Sequence, residues 1–160
     1  AIRRMTLAAS TVASLPLHKL LTMTTTSNQR EYWFDVEPVP ASRPRVSKWG
    51  TYYGKRYEKF RRDMREVLRE YPEAPLLGPL AVWIEFHIAP PKTTKREWPR
   101  GDVDNYVKGP LDSMTKHGGF WEDDDQIVFL KATKVFTQEG QKNGIKMRYG
   151  KCFANPPAVR

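Results

Sequence analysis

Leu80-Ala81-Val82-Trp83-Ile84-Glu85-Phe86-His87-Ile88 alternates one residue set (Leu80, Val82, Ile84, Phe86, Ile88) with another (Ala81, Trp83, Glu85, His87). A side-chain period of two puts the first set on one face of a strand, so the segment predicts a β-strand with one strongly apolar face. His87 falls on the opposite face, where a structural role is the plainer reading. The apolar face needs a cover, and the segment before it supplies one. From Lys55 to Glu70, the residues Tyr57, Phe60, Met64, Val67, Leu68 and Tyr71 recur at helical spacing, and Pro72 ends the run. The other faces of this helix carry charge with cations in excess. Glu58 is placed to pair with Arg62 and Glu66 with Arg69.

Three more strands follow from pattern. Tyr32 to Val36 is aromatic and β-branched and runs into the prolines 38, 40 and 44; Ile127 to Phe136 is long; Ile145, Met147 and Tyr149 alternate with Lys146 and Arg148. Tyr106, Val107, Leu111 and Met114 predict a short second helix that tolerates Pro110 and stops at His117-Gly118-Gly119. The order β, α, β, α, β, β implies a single α+β domain, a mixed or antiparallel sheet with two main helices packed on it. The chain has 160 residues, enough for one such core. We expect the domain to occupy 31–150. Residues 1–30 hold no acidic residue and read as a disordered or spurious leader, with Met23 opening a Thr-rich run, rather than as a targeting signal. The segment 151–160 reads as a flexible tail.

Composition narrows the function. A formal net charge of +9 with 39% hydrophobic residues describes a folded basic protein, whose natural partners are phosphate polymers. No apolar run reaches the roughly 18–20 residues that span a bilayer. One cysteine and three histidines exclude an intrachain disulfide and make a zinc cluster implausible, so a metal would be held by oxygen.

Against that basic background stands an acidic stretch, Gly101-Asp102-Val103-Asp104-Asn105-Tyr106-Val107-Lys108, with a second cluster, Glu122-Asp123-Asp124-Asp125, beyond the glycines. Mg²⁺ takes oxygen ligands and keeps several waters, so a few carboxylates from separate segments suffice to hold it. Asp102 and Asp104 suit that role, and Lys108, one helical turn after Asp104, suits a phosphate in the transition state. Each feature has a plainer reading: Asp104 as a helix N-cap, Asp104 and Lys108 as an i,i+4 ion pair, and the second cluster as an exposed acidic turn. An EF-hand fails because Tyr106 and Val107 stand where a ligand and a glycine are required. A glycosyltransferase with an Asp-x-Asp motif would need a larger nucleotide-binding domain.

Cations and aromatics surround these acids. Arg43-Pro44-Arg45 lies on a stiff connection, and Lys48, Trp49, Tyr52 and Tyr53 form a basic aromatic loop or hairpin around Gly50. On the first helix, Lys55, Arg56, Lys59 and Arg62 are candidate phosphate contacts. The proline-bounded loop 90–100 adds Lys92, Lys95, Arg96 and Arg100 directly ahead of Asp102.

Asp102-Val-Asp104-Asn105-Tyr-Val-Lys108-Gly-Pro110-Leu111-Asp112, followed by Trp121-Glu-Asp123-Asp124-Asp-Gln126-Ile127, resembles the RusA-type Holliday junction resolvase family, and Arg43-Pro44-Arg45 matches that family's early basic motif. The resemblance runs from Tyr32 to Tyr149. It implies a RusA-like fold and a homodimeric endodeoxyribonuclease, dependent on Mg²⁺ with Mn²⁺ as a substitute, that nicks branched DNA at four-way junctions in recombination and repair. It implies no small-molecule cofactor beyond the metal and no membrane. By the same resemblance, Asp102 and Asp104 match the first two catalytic acids, Lys108 the lysine and Asp124 the third acid, with Asp123 beside it as a further metal ligand. The Gly118-Gly119-Phe120-Trp121 run is one residue longer than the family spacing, which leaves the third acid open between Asp124 and its flanks. A cytoplasmic, DNA-associated protein of bacterial, phage or prophage origin is implied. Two other readings stand beside it: a non-catalytic DNA-binding or architectural module, and a metal-dependent nuclease insensitive to branching.

Overall fold

The computed structural model describes residues 29–71 and 74–152, so most of the expected leader and tail lies outside the described residues. Six strands and two helices run in the order β1 (Arg30–Phe34), β2 (Arg45–Ser47), β3 (Gly50–Tyr52), α1 (Lys55–Leu68), β4 (Leu80–Ile88), α2 (Val103–His117), β5 (Ile127–Phe136) and β6 (Gly144–Lys151). The β1 strand thus starts at Arg30. The β6 strand includes Lys151, and Cys152 N–H donates to Pro79 O at 2.8 Å just beyond it.

The main sheet has the order β1-β6-β4-β5. β6 runs antiparallel to both β1 and β4, whereas β4 and β5 are parallel, with Leu80 opposite Ile127 and Ile88 opposite Phe136. The sheet is therefore mixed and the architecture α+β, as the element order predicted. Parallel neighbours cannot be joined by a tight turn. The crossover from β4 to β5 carries the 90–100 basic loop, then α2 with Asp102, Asp104 and Lys108, then the acidic turn. The expected basic aromatic hairpin forms as β2–β3, with every residue exposed and Gly50 at φ 122°, a value that favours glycine.

One core forms between the sheet's inner face and the helices. Leu80, Val82, Ile84 and Phe86 from β4 join Ile145, Met147 and Tyr149 from β6, and α1 adds Tyr57, Phe60, Met64 and Leu68. Full burial of one such side chain contributes about 1.5–3 kcal/mol against conformational entropy. The α1 stripe is thus the one its periodicity marked. The second helix is fifteen residues, longer than expected, because Pro110 forfeits only its own N–H bond and Gly118, at φ 73°, closes the helix with its N–H on Met114 O. The helices cross at Gly109, where an added Cβ would stand 2.6 Å from Phe60 Cε1. On the outer sheet face, His87 lies 3.3 Å from Glu85 and beside the Trp33 ring, in keeping with a structural role.

Candidate active site

Asp102, not Asp104, occupies the N-cap of α2, and its carboxylate makes no capping hydrogen bond. The helix begins instead on backbone, Tyr106 N–H to Asp102 O at 3.3 Å. The capping reading of Asp104 therefore gives way: that residue sits inside the first turn, exposed beside the helix N-terminus, where negative charge is favoured. No ion pair joins Asp104 to Lys108. Both side chains project into solvent.

The chain ahead of Asp102 is held from several sides. Lys134 Nζ, reaching up from the inner face of β5, donates to Pro99 O at 2.8 Å and to Gly101 O. Tyr106 Oη donates to Arg100 O at 2.8 Å, and Ala41 N–H donates to Asn105 O at 2.8 Å. Gly101 takes φ 96°, and a Cβ there would press on Tyr106 at 3.2 Å, so glycine fits this turn. The start of α2 is thus pinned to β5 and to the 35–44 connection.

The second cluster is organised by Gln126. Its Oε1 accepts from Glu122 N–H at 2.8 Å and Asp123 N–H at 3.0 Å, while its Nε2 donates to Leu76 O at 3.0 Å and Gly78 O at 2.9 Å. Asp123 Oδ1 accepts from Asp125 N–H at 3.1 Å and caps the short 3₁₀ turn Asp124–Gln126. Asp123 is thus partly engaged in the turn itself. Asp124 is exposed, and partial burial, the hydrogen bond and charge of Asp123, and the charge of Asp112 together hold its carboxyl above the ordinary value near 3.8.

Asp112 escaped sequence reasoning as a site residue, although the signal was present. Asp104, Lys108 and Asp112 lie four residues apart, on one face of α2. The negative charge of Asp112 reaches both Asp124 and Tyr57. The result is an acid–lysine–acid face: Asp102 and Asp104 at the helix start, Lys108 midway, and Asp112 with Asp123 and Asp124 toward the far end. The helix rises about 12 Å from Asp104 to Asp112. Among the described residues no three His, Cys, Asp or Glu side chains stand close enough to form a ready-made metal cage. Yet none of Asp102, Asp104, Asp112 or Glu122 to Asp125 is ion-paired among the described residues. The donors are all carboxylate oxygens, the set a hard divalent cation takes, and such an ion needs only one or two of them besides water.

The basic candidates divide. Arg56 lies 2.6 Å from Glu37, and Lys59 lies 2.5 Å from Asp63. Glu58 pairs with Arg61 at 3.5 Å rather than with Arg62, since i+3 neighbours a helix residue as closely as i+4 does; Glu66 with Arg69 at 3.2 Å is as expected. Arg62 makes no ion pair among the described residues. Arg43, Arg45, Lys48 and Lys55 are exposed, with Lys48 Nζ 5.0 Å from the Trp49 ring, itself 86% exposed. Arg56, Lys95, Arg96 and Arg100 line one broad concavity of about 750 Å³ that also reaches Gly101 and Tyr106, next to Asp102.

Residues 35–148, spanning the hairpin, both helices and both acidic clusters, match the family model described as endodeoxyribonuclease RusA. The chain belongs to the endodeoxyribonuclease RusA family. It is 30% identical over 122 residues to the crossover junction endodeoxyribonuclease rusA of Enterobacteria phage HK97, a match covering 73% of this chain and 93% of that protein. It is also 29% identical over 122 residues to the uncharacterized protein YqaN of Bacillus subtilis (strain 168), covering 64% of this chain and 84% of YqaN. The match covers the hairpin cations, the basic loop and both acidic clusters alike. No helix among the described residues is long and apolar enough to cross a membrane.

Proposed function

We propose that this RusA-family nuclease resolves four-way DNA junctions, acting as a Mg²⁺-dependent homodimer that nicks paired phosphodiesters. The observation that carries the proposal is the acid–lysine face of α2, whose carboxylates have no cationic partner among the described residues of a +9 chain. Holding like charges together is costly unless a cation meets them. The name of the phage relative supplies the junction substrate.

Asp102 and Asp104 on one side, and Asp124 with Asp123 on the other, are the residues that would hold Mg²⁺, with Mn²⁺ as a substitute. When bound, the ion lowers the pKa of an attacking water and offsets charge on the phosphate. Lys108, midway along the face, presents its ammonium to a non-bridging phosphate oxygen as negative charge develops there. Lys134 and Tyr106 hold the turn that aims Asp102. Arg96, Lys95 and Arg100 hold the strand beside it, and the β2–β3 hairpin with Arg45 and Lys48 offers a second grip. A two-fold dimer would match the symmetry of a four-way junction. The outer sheet face, where Trp33 and Phe129 are exposed, offers apolar area of the kind such a contact needs.

The test is cleavage of a synthetic four-way junction beside a linear duplex of the same arms. Asp102→Asn and Asp104→Asn are expected to lose at least about a hundredfold in rate while still binding the junction. Wild-type rates in both variants would refute the site, and equal cleavage of the linear duplex would refute junction selectivity.

A further inference from the structure

A second concavity opens between α1 and α2, with no residue of the 90–100 loop in its lining and a volume of about 380 Å³. Arg61 and Arg65 from α1 and Arg69 at its C-cap line one side, and Lys116 and His117 line the other from the end of α2, with Asp112 contributing the one acid. Gly109 forms part of the lining where the helices touch, and the Phe60 contact leaves no room there for a larger residue. Helices in contact lie roughly 8–10 Å apart, so the trough between them matches the width of one strand backbone rather than of a whole duplex.

Spacing and charge indicate the occupant. Arginines four residues apart stand about 6 Å from one another along the helix axis. Three of them in a row suit a linear polyanion better than a compact anion. Two are only lightly engaged: Arg61 lies 3.5 Å from Glu58 and 4.9 Å from the Tyr53 ring, and Arg69 lies 3.2 Å from Glu66. Exposed pairs of this kind contribute about 0.2–1 kcal/mol and exchange readily for phosphate. Arg65 has no ion pair among the described residues. Tyr57 is buried and Arg61 covers Tyr53, so neither ring is free to stack a base. Recognition here is of phosphate and not of sequence.

We propose that this groove holds the sugar–phosphate backbone of a single DNA strand and leads it to Asp112 and Asp124. The proposal rests on the nuclease reading above and deepens it: a junction arm whose strands separate would send one strand along the 90–100 loop and the other along the α1–α2 groove. The cations singled out by pattern, Arg56, Lys59 and Arg62, lie outside this groove.

The experiment is a fluorescence-anisotropy titration in EDTA, across a range of salt, with a single-stranded oligonucleotide, a blunt duplex and a four-way junction. For Arg65→Ala/Arg69→Ala and for Lys116→Ala, affinity for single strand and junction is expected to fall about tenfold and threefold respectively. In the double variant the slope of log K against log salt should shrink by about 1–2. Blunt-duplex affinity should move less than about twofold, and Arg65→Lys/Arg69→Lys should retain most of the binding. These side chains are exposed, so an unchanged melting temperature confirms the fold. Unchanged single-strand affinity in the alanine variants overturns the proposal, as does an equal loss on blunt duplex. Competition by polyglutamate as strong as by single-stranded DNA also overturns it, in favour of an acidic protein segment. If the wild type binds but cleaves nothing with Mg²⁺, the nuclease reading fails while the binding losses still support the groove.

Discussion

Trp121 Nε1 donates to Thr115 Oγ1 at 2.8 Å, and that hydroxyl in turn donates to Leu111 O at 2.9 Å. This two-bond chain ties the acidic turn to α2, one turn beyond Asp112, because Trp121 immediately precedes Glu122 and is buried against Phe120 and Tyr149. Thr115→Val keeps the shape and removes the acceptor. A buried indole N–H left without a partner costs about 1–3 kcal/mol. Chemical denaturation is expected to show that loss with an unchanged m value, together with reduced cleavage. Wild-type stability would show that the bond does not hold the turn.

Gly109→Ala separates packing from propensity. In an open helix the change stabilises by about 0.5–1 kcal/mol. Here the new Cβ meets Phe60 Cε1 at 2.6 Å, so overpacking of about 1–3 kcal/mol should outweigh it. Calorimetry of Gly109→Ala alone and combined with Phe60→Leu checks the mechanism, since the smaller residue at 60 should recover part of the loss.

Asp124 predicts a pH dependence. Its carboxyl is held above the ordinary value near 3.8, so the folded protein binds this proton more tightly than the unfolded chain does. Stability from this group is therefore full below about pH 3.8 and is lost as pH rises through the raised folded value. Asp124→Asn should melt higher than the wild type at neutral pH without metal, and the gap should close on acidification. Added Mg²⁺ should raise the melting temperature of the wild type more than that of the variant. A variant that melts lower at neutral pH would contradict the burial and neighbouring negative charge that raise this carboxyl.

Lys134→Met removes the donor to Pro99 O and Gly101 O while keeping the stem. Misplacing Asp102 by about 1 Å is expected to cost roughly tenfold to a hundredfold in cleavage. The half-saturating Mg²⁺ concentration should rise while junction binding in EDTA holds, a split that general destabilisation would not produce. Lys134→Arg should restore part of the activity.

Much of this was legible in sequence. The alternation over Leu80 to Ile88, the Tyr57–Leu68 stripe and the long Ile127–Phe136 run marked strand, helix and strand, because burial on one face imposes a period that sequence records. The Asp-x-Asp and Asp123–Asp124 clusters marked the candidate site for a different reason, since carboxylates gathered in a basic chain are chemically conspicuous. Contacts between distant segments carry no such local signal. That the charge of Asp112 reaches Asp124, that Lys134 steadies the turn before Asp102, and that Arg61, Arg65 and Arg69 share a trough with Lys116 depend on how α2 packs on the sheet and touches α1 at Gly109. The sequence by itself determined the elements and the chemistry available, because periodicity and residue type are local properties. Only the tertiary structure decided which charges meet, because that follows from the packing of whole elements against one core.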